Sequence, residues 1–148
     1  MKIKLSVSEE RYTELEQLLR ERGFEISDDA DFILQERSKG VSFLNAKQDD
    51  ELFRIRTEDI VFVESFGKSM ILHTMDGEYS ITERLKELEV MLDADKFMRI
   101  SNSVIIAKNS VKKIKPTLSA KFILTLKNDA VVDVTRSYYY KFREIYGI

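Results

Sequence analysis

Arg99, Lys108, Lys112, Lys113, Lys115 and Lys141 all lie within residues 96–148, a stretch with 11 Lys and Arg against 3 Asp and Glu. The whole chain of 148 residues carries 24 against 26, so a basic block sits on an otherwise acidic protein. Cations at this density suit phosphate neutralisation, and a charge asymmetry between segments points to an anionic partner. Ser101 and Ser103, in the same stretch, are hydroxyls of the phosphate-contacting type. A merely solvated basic face is the alternative that composition leaves open.

Other chemistries have less to work with. The chain has no Cys and one His, His73, which removes thiolate zinc sites and Cys nucleophiles and disfavours Ser-His-Asp catalysis. His73 alternates with Ile71 and Met75 and reads as a half-buried strand residue. None of the five glycines falls in a GxGxxG or Walker spacing, so no nucleotide or other cofactor is expected. Carboxylates are plentiful, but no spaced pair accompanies a base or metal ligands, and the chain is not read as an enzyme. Hydrophobic residues make up 43% and charged ones 34%, a globular composition. No apolar run approaches a membrane span; no membrane insertion and a cytoplasmic location are expected.

The elements that must position these groups follow from periodicity. Residues 2–7 alternate as a strand; Ser8 offers an N-cap before Glu9 and Glu10; Tyr12, Leu15, Leu18 and Leu19 keep helical spacing up to Gly23. Two short strands, 24–26 and 31–35, complete a β-α-β unit. Two polar stretches could end it, Arg37-Ser38-Lys39-Gly40 and Lys47-Gln48-Asp49-Asp50. The second is favoured, giving domains at 1–46 and 47–148. Beyond it the pattern is mostly antiparallel β, with strands at 60–66, 70–75 and 78–81 and a hairpin at Asp76-Gly77. Thr82 is expected to cap a helix bearing Leu85, Leu88 and Leu92 on one face. Short strands at 97–100, 103–107 and 111–114 precede Pro116, which marks a loop. A second hairpin (122–126 and 131–135) and a last helix from about Tyr138 to Tyr146 close the chain; the Tyr138-Tyr139-Tyr140 run would pack that helix on a sheet.

Residues 59–65, Asp-Ile-Val-Phe-Val-Glu-Ser, the segment Phe97-Met98-Arg99-Ile100-Ser101-Asn102-Ser103 with Ile105-Ile106, and Val134-Thr135-Arg136-Ser137-Tyr138 with Phe142 occur in one order. Together they resemble the LytTR-type DNA-binding domain of bacterial transcription regulators, over about residues 52–146. The resemblance implies a mainly β (α+β overall) chain. Its body would be an elongated antiparallel β-sheet domain with small helices, preceded by the short β-α-β unit. It also implies that loops, not a recognition helix, enter the major grooves of direct-repeat sites on double-stranded DNA, commonly as a homodimer. By the same resemblance, Lys68, Ser69, Met70, Asn102 and Arg136 would contact bases. The side chains suit that task, since Arg forks onto guanine O6 and N7 and Asn pairs with adenine N6 and N7. Arg99, Ser101, Ser103, Lys108, Lys112, Lys113, Lys115 and Lys141 would hold phosphates.

Three departures bear on the target sequence: Asn102 stands where the family often has a basic residue, Ala107 where it has Asn, and Thr135 where it has Ser. The front departs more. Many such regulators carry a receiver domain of about 120 residues, which 50 residues cannot hold, so a response-regulator-like chain without phosphorelay is expected. Its first unit would self-associate, dock an unidentified regulatory protein, or cap the β body. The competing reading of the whole is a protein-interaction or ligand-binding β module that does not bind DNA.

Overall fold

The computed structural model describes residues 1–36 and 40–148. They form two compact units, residues 1–38 and 39–148.

In the first unit, β1 (Lys2–Ser6), α1 (Glu9–Glu21), β2 (Glu25–Ile26) and β3 (Phe32–Gln35) follow in order. The sheet runs β2-β1-β3, and both neighbours are parallel to β1. Glu9 and Glu10 occupy the positive end of α1, although the Ser8 hydroxyl makes no capping bond. Gly23, at φ 86°, ends the helix with paired bonds from Gly23 N to Arg20 O and from Phe24 N to Leu19 O, a Schellman closure. Leu5 is the one buried apolar residue described in this unit, whereas Phe32, Ile33 and Leu34 on the edge strand β3 are exposed.

The second unit contains β4 (Phe43–Gln48), β5 (Glu51–Arg56), β6 (Ile60–Phe66), β7 (Ser69–Thr74), β8 (Glu78–Ile81), α2 (Leu85–Met91), β9 (Phe97–Arg99) and β10 (Val104–Ala107). A second group follows: β11 (Val111–Pro116), β12 (Phe122–Leu126), β13 (Val131–Val134) and α3 (Tyr139–Tyr146). Seven strands form one antiparallel sheet in the order β5-β4-β8-β7-β6-β10-β9, and β11-β12-β13 form another. The mainly β expectation is borne out.

Continuous apolar runs serve strands buried on both faces. In β10, Ile105 and Ala107 join a core with Val63, Leu72 and the α2 residues Leu85 and Leu88. Val104 and Ile106 turn the other way, to Phe62, Leu124, Leu126, Val134 and Phe142. Phe142 is fully buried, stacked on Tyr146 and tilted against Phe122, and Tyr139 stacks on Phe122 at 4.7 Å. Tyr139 therefore packs α3 on the sheet as expected, while Tyr140 stays exposed.

Three local readings change. The expected domain boundary at 46/47 falls inside β4, because Lys47 and Gln48 are its last residues, paired with Leu52 and Glu51, and Asp49-Asp50 is the turn of the β4–β5 hairpin. Asp49 and Asp50 both have positive φ, 51° and 64°, as a two-residue type I′ turn requires. The other polar stretch, at 37–40, lies outside the described residues apart from Gly40. Gly40 has φ 75°, and a Cβ there would strike Asp93 N and the Leu92 carbonyl carbon. Thr82 does not cap α2: the helix starts at Leu85, and the Glu87 carboxylate accepts the Arg84 N–H at 3.4 Å. Pro116 ends β11 rather than standing in a loop, which an edge strand tolerates.

Candidate nucleic-acid interface

Three turns meet at one end of the second unit because main-chain bonds tie their bases together. The β6–β7 turn is closed by the pair Phe66 and Ser69 and presents Gly67 and Lys68 at its tip. Next to it, Ser65 N donates to Ser103 O at 2.8 Å, which fixes the β9–β10 loop carrying Asn102. Ile100 N donates to Val104 O at 3.0 Å across the base of that loop. Thr135 N then donates to Ile100 O at 3.0 Å and brings in the segment that begins with Arg136.

Lys68, Ser69, Asn102, Ser103 and Arg136 are exposed here. Among the described residues, no hydrogen bond or ion pair engages the side chains of Lys68, Asn102 or Arg136. The Lys68 carbonyl accepts from Arg84 Nη1 at 3.3 Å, so the tip is held by its backbone while its ammonium stays available. The arrangement therefore offers an ammonium, a carboxamide and a guanidinium from three separate chain segments, with their hydrogen-bonding capacity unspent.

The other expected contacts divide. Met70 is corrected: it is 4% exposed and belongs to the core with Leu72 and Ile81. The pleat turns Ser69 out and Met70 in, so this side chain has no surface to offer a base. Ser101 is also inward, 6% exposed, with its Oγ accepting from Ser103 N at 3.2 Å. Arg99 is turned inward too: Nε donates to Ser101 O at 3.0 Å, Nη2 to Asn102 O at 2.7 Å and Nη1 to Glu89 Oε2 at 3.1 Å.

The lysines follow strand register. Pro116, Phe122 and Val134 share one row across the three-stranded sheet, and Val134 stands two residues before Arg136. Lys115 lies one row back, while Lys113 pairs with Thr125 nearer the other end. Lys112 binds Asp129 at 3.0 Å. Lys108 follows Ala107 at the far end of β10 and donates to Ala94 O at 2.9 Å. The exposed Lys141 lies on α3.

Sequence reasoning passed over two residues at this end. Lys121 precedes Phe122 and is exposed; Phe66 closes the Lys68 turn and is 73% exposed. Lys121 carried no signal beyond its charge, and Phe66 looked like one more apolar strand residue. His73 is buried rather than half-buried, stacked on Phe62 at 3.9 Å with Nε2 2.9 Å from Glu64 Oε1.

Comparison with known proteins places the second unit in a family. Residues 50–147 match the family model described as the LytTr DNA-binding domain. The solved LytTr DNA-binding domain of a Bacillus cereus protein, described as a methyl-accepting/DNA response regulator, superposes with a TM-score of 0.70 at 27% identity. That match covers 74% of this chain and all of the other. Over 100 residues the chain is 25% identical to the transcriptional regulatory protein LytR of Staphylococcus aureus and 26% identical to the sensory transduction protein LytT of Enterococcus faecalis. Each of those matches covers 68% of this chain and 41% of the relative, so the chain spans about two fifths of the length of these curated relatives. With residues 50–147 matched end to end, the chain belongs to the LytTR family of DNA-binding domains.

Proposed function

We propose that the protein is a sequence-specific transcription regulator of the cytoplasm that binds double-stranded DNA. The three tied turns would enter major grooves, and the protein would act as a homodimer on direct-repeat sites. The observation that carries this reading is the gathering of Lys68, Asn102 and Arg136 at one end by bonds from Ser65 to Ser103 and from Thr135 to Ile100. Their side chains cost no internal bond to redirect. Asn102 and Arg136 have the donor and acceptor patterns that distinguish adenine and guanine. Lys68, Lys115, Lys121, Lys141 and Ser103 supply sequence-blind grip on phosphates.

The first unit serves association in this reading. Phe32, Ile33 and Leu34 are exposed on the edge strand β3, and an uncovered apolar edge is a pairing surface. The same edge could take a regulatory protein in place of a second copy.

Enrichment of random duplex DNA on the purified full-length chain tests the reading. A repeated motif is expected, bound with an affinity that falls steeply with salt. Equal and feeble binding to all duplexes would reject it.

A further inference from the structure

Arg99 has more contacts than a phosphate ligand has use for. Its guanidinium reaches the carbonyls of both Ser101 and Asn102, and its third nitrogen reaches Glu89 on α2. The side chain is 17% exposed. α2 is itself fixed, since Leu85 and Leu88 are buried in the core beneath it. A run of contacts thus leads from the core through α2 and Glu89 to Arg99, and from there to the backbone that carries the Asn102 side chain.

We infer that Arg99, held by Glu89, is a positioning residue that sets the aim of Asn102 and with it the base preference at one position of the site. The inference rests on the DNA-binding reading proposed above. Two observations favour it over phosphate binding. The three kinds of guanidinium nitrogen are each committed inside the protein. A phosphate approaching Arg99 would also meet the Glu89 carboxylate 3.1 Å away, and like charges repel. Asn tolerates several backbone conformations in turns, so a loop carrying it needs an external brace. The planar fork of Arg spans two carbonyls and a carboxylate at once, whereas the single ammonium of Lys does not.

The experiment uses the full chain and the duplex enriched by it, with single base-pair variants of that duplex measured over a range of KCl concentrations. Asn102→Ala first identifies the base pair that Asn102 reads, as the position where discrimination is lost. Arg99→Lys keeps the charge and is expected to lower discrimination about tenfold at that base pair. Preference at positions read by Arg136 and the salt slope should stay unchanged. Glu89→Gln, which leaves Arg99 and the core intact, should relax the same base pair to a lesser degree. Adding Arg99→Lys to Asn102→Ala should cost no further discrimination, because the brace then holds nothing that reads.

Uniform weakening on all duplexes with a shallower salt slope in Arg99→Gln would overturn the inference and make Arg99 a phosphate contact. Unchanged discrimination at the Asn102 base pair in folded Arg99→Lys and Glu89→Gln proteins would overturn it as well. If the unaltered chain selects no sequence, the DNA-binding reading fails before any variant is made, and this inference fails with it.

Discussion

Thr135 N lies 3.0 Å from Ile100 O, so the residue before Arg136 and the residue two places before Asn102 are joined although each follows a strand of a different sheet. The joint fixes the spacing of the two side chains proposed to read bases. Arg136→Ala is expected to abolish preference at one base pair of the enriched site, at a cost of about 1–3 kcal/mol. It should leave the melting temperature within about a degree, because Arg136 is exposed and unpaired among the described residues. Competition binding against a panel of single base-pair variants measures this; an unaltered preference would remove Arg136 from the site.

The lysines should separate by position. Lys121→Ala and Lys115→Ala are expected to weaken binding to every duplex alike and to reduce the salt slope by about one each. Lys112→Ala, at a residue already paired with Asp129 and farther from Arg136, should change neither. Titrations at several KCl concentrations give the slopes.

Alkaline stability has a specific carrier. Burial pushes the Tyr146 phenol up to about 12, and its hydroxyl donates to Lys108 O at 2.6 Å. The neutral phenol is the form that the fold favours. Its contribution is complete below the unfolded value near 10 and is lost as pH rises from there through about 12. Tyr146→Phe should be less stable at pH 7 by about 1 kcal/mol for the lost hydrogen bond. The gap to the unaltered protein should then narrow above pH 10. Urea unfolding at pH 7, 10 and 11.5 reads both effects.

The hairpin turn offers a gain. Asp50 holds φ 64°, a region where Gly pays no steric penalty. Asp50→Gly should stabilise the second unit by about 0.5–1 kcal/mol, seen as a higher urea midpoint with an unchanged slope.

Association through the first unit is tested by Ile33→Lys on β3. Ile33 is 62% exposed, so the fold should tolerate the change, while a charged edge resists strand pairing. Sedimentation should show a loss of self-association; the same oligomeric state in both proteins would reject a role for this edge.

Much of the fold was legible because its signals are local. Asp76-Gly77 marked a hairpin, and Leu85, Leu88 and Leu92 marked a helix face. β4 was missed because a type I′ turn made of Asp49 and Asp50 looks like any polar linker, and only Leu44 and Ala46 point inward to betray the strand. The site was legible in residue type but not in commitment. Charge identifies Arg99, Lys108 and Lys112 as cations, yet the carbonyls and carboxylates that occupy them come from residues distant in sequence or turned by the fold. Met70 failed for a simpler reason: one step along a pleated strand separates a tip residue from a core residue.

Among the described residues, the bonds that join the three turns, Ser65 N to Ser103 O and Thr135 N to Ile100 O, run between main-chain atoms. Changing Lys68, Asn102 or Arg136 therefore leaves the scaffold's own fastenings in place. If the proposed reading holds, retargeting to another DNA site becomes a matter of exchanging Asn102 and Arg136, with little effect on folding.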